Sequence, residues 1–341
     1  MIRAFLPGSR PFSILIAAVL LAAVLLPVSA QNRLVLGGKA VVMVADALYF
    51  FRDADARVLA VAGADQGMGV FLSSIDPGFS KKPVIDRNAG AEVYASLRPD
   101  AIVLKSSMKK SLGPSLDALG LKQFYLDLET PEDYLSDLHA LGKFLGQEFR
   151  ASEVIEFYQG RMNEVNAAVN GVQRPRVLLV QAADAVAGVW EVPPASWMQT
   201  RMVSLAGGDV LWTAANPGAG WAKVNAEQIA AWNPEVIFVV DYRKDARQAA
   251  RSLREDARLR SVEAVKSGKV YGFAQDFLSW DQPDARWILG LEWMAGKLHP
   301  GQFSGKPILD SARRFFSFLY GVDAATFDRV ILPRLGGDLS R

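Results

Sequence analysis

One stretch of the chain occurs twice, and no other feature restricts the fold as much. Asn225 to Val240 reads NAEQIAAWNPEVIFVV, and a second version, AEVYASLRPDAIVL, begins at Ala91 with its matching residues 135 positions earlier. Ala91 matches Ala226, Glu92 matches Glu227, Leu97 matches Trp232, Pro99 matches Pro234, Asp100 matches Glu235 and Ile102 matches Ile237, without a gap. Two copies of one unit imply two copies of one lobe.

Each copy predicts a short helix that stops at an Arg-Pro or Asn-Pro step, because proline pushes the preceding residue out of the helical region. A buried strand follows, written as a continuous apolar run (AIVL, VIFVV) of the kind a parallel sheet covered on both faces requires. Tyr94 with Leu97, and Ile229 with Trp232, are three apart and mark the core side of each helix. Glu92 and Glu227 stand two residues before Tyr94 and Ile229, about 200° around the helix, and so point away from the core of their own lobe. A first-turn glutamate also suits the helix dipole. The matching pair adds a second reading, in which the two carboxylates are docking charges for one partner that touches both lobes.

At 341 residues the chain has room for two domains, and half of it is apolar, as a globular protein requires. Met1 to Ala30 reads as a cleavable signal peptide: Arg3 and Arg10 precede an apolar run from Phe12 to Leu26, and Val28-Ser29-Ala30 supplies small residues for cleavage. That run is about 15 residues, against the roughly 20 of a spanning helix. Its removal takes away two arginines and no acid, lowering the formal charge from +2 to zero, which argues against nucleic-acid binding. Cysteine is absent, excluding disulfides, thiolate metal sites and a lipid-modified cysteine anchor. A periplasmic monomer in a Gram-negative cell is the expectation.

The order of elements predicts an α/β fold: an N-terminal lobe over 31–147, a rigid helical connector over 148–171, and a C-terminal lobe with terminal helices over 172–341, with a ligand cleft between parallel-sheet lobes. The first strand is placed at Ala40 to Ala45, with Asp46 capping the helix after it. Arg176 to Val180 stands 135 residues beyond Val41 to Ala45 and extends the duplication on that placement. Thr130-Pro131-Glu132-Asp133 is a helix start with a capping threonine and a proline at the first position. Gln275 to Pro283 is read as a loop, followed by a helix from Asp284 to His299.

All eight tryptophans lie at or after Trp190. Trp232 and Trp287 have helical spacing to apolar neighbours and read as core. Trp190, Trp221 and Trp280 fall in predicted loops beside strands, where open α/β sheets hold their ligands, and together make an aromatic wall. Each could equally plug its own lobe. Lys105, Arg201, Asp281 and Arg286 are charged candidates at the same edge, with Tyr49 and Trp197 nearby. Lys105 also reads as a solvent-facing lysine, and Asp281 as a cap for the Asp284 helix or a partner of Arg286. No nucleophile elbow, phosphate loop or H-E-x-x-H is present, and His139 and His299, the two histidines, are far apart. No catalytic residue, resident cofactor or bare metal site is expected, so a metal would arrive inside an organic chelator.

These residues resemble the periplasmic solute-binding proteins for ferric siderophores, cobalamin and related metal chelates, the class whose lobes are joined by one rigid helix. The resemblance runs from about Leu34 to Pro300. It rests on the two E-x-x-x-x-x-x-P-[DE] repeats at Glu92 and Glu227, the Ala206-Gly207-Gly208 step and the Val270-Tyr271 strand ahead of Trp280. It implies an importer with a membrane permease and ATPase, whose permease arginines meet the two glutamates. It also implies a metal chelate, foremost a ferric siderophore, with cobalamin or haem as alternatives. An exported enzyme or a sensor on the same fold remains a second class. Two departures stand out: Ala45-Asp46-Ala47 where the family has a Ser-Pro start, and the Ser279 to Pro283 loop.

Overall fold

The computed structural model describes residue 1 and residues 32–339, apart from 65, 66, 68, 69 and 186. The signal peptide expected over Met1 to Ala30 falls outside the described residues, its first residue excepted. From Asn32 onward the chain folds as one compact unit.

The N-terminal half contains β1 (Leu34–Leu36), α1 (Val41–Leu48), α2 (Ala54–Arg57), β2 (Val58–Ala62), β3 (Val84–Ile85), α3 (Ala91–Ser96), β4 (Ala101–Lys105), α4 (Gly113–Ala118), β5 (Gln123–Leu126) and α5 (Pro131–Leu145). Its sheet has the order β3-β2-β1-β4-β5 and every pair in it is parallel. Helix α6 (Glu148–Val169) follows. The second half begins with β6 (Arg176–Asp184), β7 (Val189–Val192), α7 (Met198–Leu205), β8 (Asp209–Val210) and β9 (Ala222–Val224). It continues with α8 (Ala226–Trp232), β10 (Val236–Val240), α9 (Ala246–Glu255), α10 (Glu263–Lys266), β11 (Val270–Gly272), α11 (Trp287–Leu298) and α12 (Ile308–Tyr320). Its sheet runs β11-β10-β6-β7-β9, with β8 also on β6; the β6–β7 and β7–β9 pairs are antiparallel and the rest parallel. The fold is α/β with two parallel-dominated sheets.

The duplicated stretch forms the same device twice. Helices α3 and α8 each lead within a few residues into a wholly buried strand, β4 or β10. The residue before each proline, Arg98 or Asn233, takes a left-handed conformation (φ 47° and 44°) where an extended one was expected. A left-handed residue is a common way to end a helix, and asparagine tolerates it better than arginine. Each copy is then clasped to the first strand of its half. The Arg33 N–H donates to Asp100 Oδ2 at 2.7 Å and the Asp100 N–H returns to the Arg33 carbonyl at 2.8 Å. Arg176 and Glu235 repeat both bonds at 2.9 Å.

This clasp corrects the sequence reading of the first strand. Val41 to Ala45 is helix, because Val41, Val44 and Leu48 recur at helical spacing and all three are buried. The counterpart of β6 is β1, so Arg33-Leu34-Val35-Leu36 answers Arg176-Val177-Leu178-Leu179 at a different offset from the rest of the duplication. Asp46 therefore lies inside α1, and the turn after the first strand is Gly37-Gly38. A Cβ on Gly37 would come within 2.6 Å of the Tyr94 ring, and Gly38 has φ 74°, so both positions require glycine.

The halves are riveted by more than α6. Arg150 on α6 donates to the Phe50 carbonyl in the first half (3.0 Å) and to the Phe318 carbonyl on α12 (2.8 Å). Arg161, three turns further along the same face of α6, pairs with Glu292 on α11 and donates to the Ser311 hydroxyl on α12. Helix α12 also reaches back to the first half, where the Tyr320 hydroxyl donates to the Asp46 carbonyl at 3.2 Å.

Candidate functional site

The carboxyl edge of the second sheet carries the half-buried aromatic groups. Strand β6 overruns its parallel neighbours and turns back through β7, which brings Pro193-Pro194 to that edge just before α7. Two side chains fix the local loops: Trp212 Nε1 donates to the Pro193 carbonyl and Asn216 Nδ2 to the Val192 carbonyl, both at 2.8 Å. Trp197 and Trp221 are thereby held at right angles, with ring centres 5.7 Å apart at 83°. Tyr242, two residues past β10, adds a third ring 6.1 Å from Trp221.

Behind that corner sits Asp281, fully buried. It accepts hydrogen bonds from the Tyr242 hydroxyl (2.7 Å), the Ser279 hydroxyl and the Gln199 amide (3.3 Å). Burial raises the Asp281 pKa, and these donors oppose the rise. Asp281 orients Tyr242 and does not itself face solvent. Arg201, one turn after Trp197 on α7, pairs across the junction of the halves with Glu132, in the first turn of α5, at 2.7 Å. Both partners are about half exposed (45% and 62%), so the pair contributes little to stability, on the order of 0–1 kcal/mol.

The rest of the junction is filled. Every residue from Gly272 to Leu291 is buried, so the expected loop at Gln275 to Pro283 is interior packing. The following helix begins at Trp287 and not at Asp284. At its centre Arg286 reaches Asp46 from the first half, Asp276 at 2.7 Å and Asp284 at 2.8 Å, all four groups having no exposure. Phe71 and Phe316 cover the guanidinium. Burial opposes the charge of Arg286, but the three carboxylates keep its pKa well above the usual value. Three carboxyls against one guanidinium leave excess negative charge. Burial accordingly raises Asp46, and it pushes Asp284 up to about 7.

Between the ordinary carboxylate range and about pH 7 the folded chain keeps a proton on Asp284 that the unfolded chain releases, so stability falls as pH rises through that window. Asp137, raised by burial to about 6, acts in the same direction. The thermal midpoint is expected to be higher near pH 5 than near pH 8, with a smaller difference in Asp284→Asn. A midpoint that climbs across the interval would contradict this assignment.

The remaining sequence candidates are buried. Trp190 lies on β7 and not in a loop, and is 1% exposed between Ala182 and Val224. Trp280 is fully buried, with its backbone carbonyl against Gly290 of α11. Lys105 is buried at the end of β4, paired with Glu129 at 2.7 Å and donating to the Asp127 carbonyl. Tyr49 is buried and donates to Asp76 at 2.7 Å. Trp287 is core, stacked on Tyr158, whereas Trp232 is half-buried. The groups brought together at an accessible edge are therefore Trp197, Trp221 and Arg201, joined by Tyr242, Gln199 and Glu132. Tyr242 was legible as the residue past a buried strand's end.

Glu92 and Glu227 are both exposed, each in the first turn of its helix. Since α3 and α8 each run into the strand that follows, their first turns lie at the carboxyl edges of the two sheets. Among the described residues no group of three or more His, Cys, Asp or Glu is placed to hold a metal ion, and no helix is long and apolar enough to cross a membrane.

Two α/β halves, joined by a long helix and meeting along their carboxyl edges, define a two-lobed solute-binding protein. A family model described as periplasmic binding protein matches residues 80–276, more than half of the chain, and the chain belongs to that family. No curated protein matches the sequence. Solved structures with the same fold include an ABC transporter solute binding protein from Sulfurospirillum deleyianum (18% identity, TM-score 0.71, covering 88% of this chain and 94% of that one). Another is the TroA-like periplasmic binding protein FepB from Veillonella parvula (18%, 0.67, 84% and 91%). A third is CeuE from Helicobacter pylori with Ni(II) bound (16%, 0.67, 89% and 95%). The family and these neighbours are solute-binding proteins rather than enzymes.

Proposed function

We propose that the protein captures a metal chelate in the periplasm, foremost a ferric siderophore, and delivers it to an ABC importer. The observation that carries this reading is the half-buried corner of Trp197, Trp221 and Tyr242, with Arg201, one turn along α7 from Trp197, paired to Glu132 of the first half. Flat aromatic faces take a planar chelate by stacking, and Arg201 supplies charge attraction to an anionic one. The Ni(II)-bound neighbour supports a metal-containing ligand. In this reading Trp190, Trp280, Asp281, Arg286, Lys105 and Tyr49 shape the site from behind, and a ligand reaches them only if the junction opens.

Glu92 and Glu227 are the proposed contacts to the permease, one from each half. They are exposed, equivalent in the duplication and placed at the two sheet edges, as a partner that spans both halves would require.

The test is a tryptophan-fluorescence titration with a panel of ferric siderophores, haem and cobalamin. One member is expected to quench strongly and saturably, because Trp197 and Trp221 lie against the ligand. Saturable quenching by cobalamin or haem alone would reassign the ligand, and no quenching by any member would contradict chelate binding.

A further inference from the structure

A cavity of about 660 Å³ lies between α6, α11 and the segment leading into α12. Its volume is within the range of small-molecule sites. Val165, Trp293, Phe303 and Ile308 give it an apolar lining. Its cations are arranged unevenly. Arg161 is buried and neutralised by Glu292, and Lys297 lies over the rings of Tyr271 and Trp293 at 5.0 and 5.7 Å. Lys306 and Arg314, on the rim, form no ion pair among the described residues.

Gly296 lines the same cavity from the last turn of α11. Glycine inside a helix is unfavourable relative to alanine and is usually retained where another chain segment packs against it. Gly290, two turns earlier, is such a case, since a Cβ there would come within 2.1 Å of the Trp280 carbonyl oxygen. At Gly296 the nearest atom to a Cβ is 3.8 Å away, on Phe303. No packing contact demands glycine, and a side chain would project into the cavity. The residue keeps the space open.

We infer that this cavity is a second ligand site, which binds an amphipathic carboxylate with its apolar body against Trp293, Phe303 and Ile308 and its charge toward Lys306 and Arg314. A single negative charge is specified because Glu164 and Asp310 share the lining and oppose a more highly charged head. This site shares no lining residue with the aromatic corner, and its test is independent of chelate binding.

The experiment is calorimetric titration of the purified protein with octanoate, with octylammonium as the opposite-charge control. Octanoate is expected to bind saturably and octylammonium not. Lys306→Glu with Arg314→Glu reverses two unpaired rim charges, and Gly296→Leu fills the cavity; each is expected to weaken octanoate binding by at least about tenfold. Circular dichroism checks folding, and if Gly296→Leu fails to fold the rim variant decides alone. No saturable octanoate binding by the wild type, equal binding of octylammonium, or undiminished binding by the rim variant would overturn the assignment.

Discussion

Arg286→Met is expected to destabilise the fold by about 3–5 kcal/mol, the cost of leaving buried charge without its partner. The substitution keeps much of the side-chain volume and removes only the cation that Asp46, Asp276 and Asp284 share. Since domains of this kind are stable by roughly 5–15 kcal/mol in total, much of the population should unfold well below the wild-type midpoint. A denaturant titration measures the loss directly. Adding Asp46→Asn and Asp284→Asn to Arg286→Met should recover part of it, because two of the stranded carboxylates become neutral. A single variant as stable as the wild type would show that the cluster contributes little to holding the halves together.

Charge reversal at both outer glutamates has the largest expected effect on function. In a strain that depends on this protein for chelate uptake, Glu92→Arg with Glu227→Arg should abolish transport while leaving ligand affinity unchanged. Both side chains are exposed and neither is among the rings of the aromatic corner, so ligand affinity should hold, while loss of two first-turn acids costs folding only about 0.3–1 kcal/mol each. Against arginines on a permease, two attractive contacts would become two repulsive ones, and a like-charge contact costs several kcal/mol at an interface. Either single reversal should give an intermediate rate. Normal uptake by the double variant would remove the docking assignment.

The parts of this fold that were readable in the sequence are those whose cause is local. The two helix–strand copies announced themselves through proline steps and continuous apolar runs, and α5 through Thr130 and Pro131, whose cap is formed as expected. The first strand failed for a physical reason: a three-residue strand, Leu34–Leu36, leaves almost no pattern, while the β-branched run beside it imitates a strand yet has helical spacing. Its duplication was hidden because the Arg33–Arg176 match runs at a different offset from the Glu92–Glu227 match.

The candidate site was less legible. Trp197 and Trp221 stand together and half-buried, whereas Trp190 and Trp280 are interior, and exposure of a tryptophan is not written in its neighbours. Arg286 meets Asp46 across 240 positions of sequence, and Arg201 meets Glu132 across 69. Such pairs depend on how two halves dock, which no local pattern records.

The central claim is that a chelate binds against the aromatic corner where the halves meet. The measurement that tests it most directly is the calorimetric affinity of the best-quenching chelate for the wild type and for Trp197→Ala with Trp221→Ala. One-to-one binding by the wild type is expected, weakened by at least about a hundredfold when both faces are lost, since two stacking contacts are removed together. Equal affinity in the two proteins would contradict it.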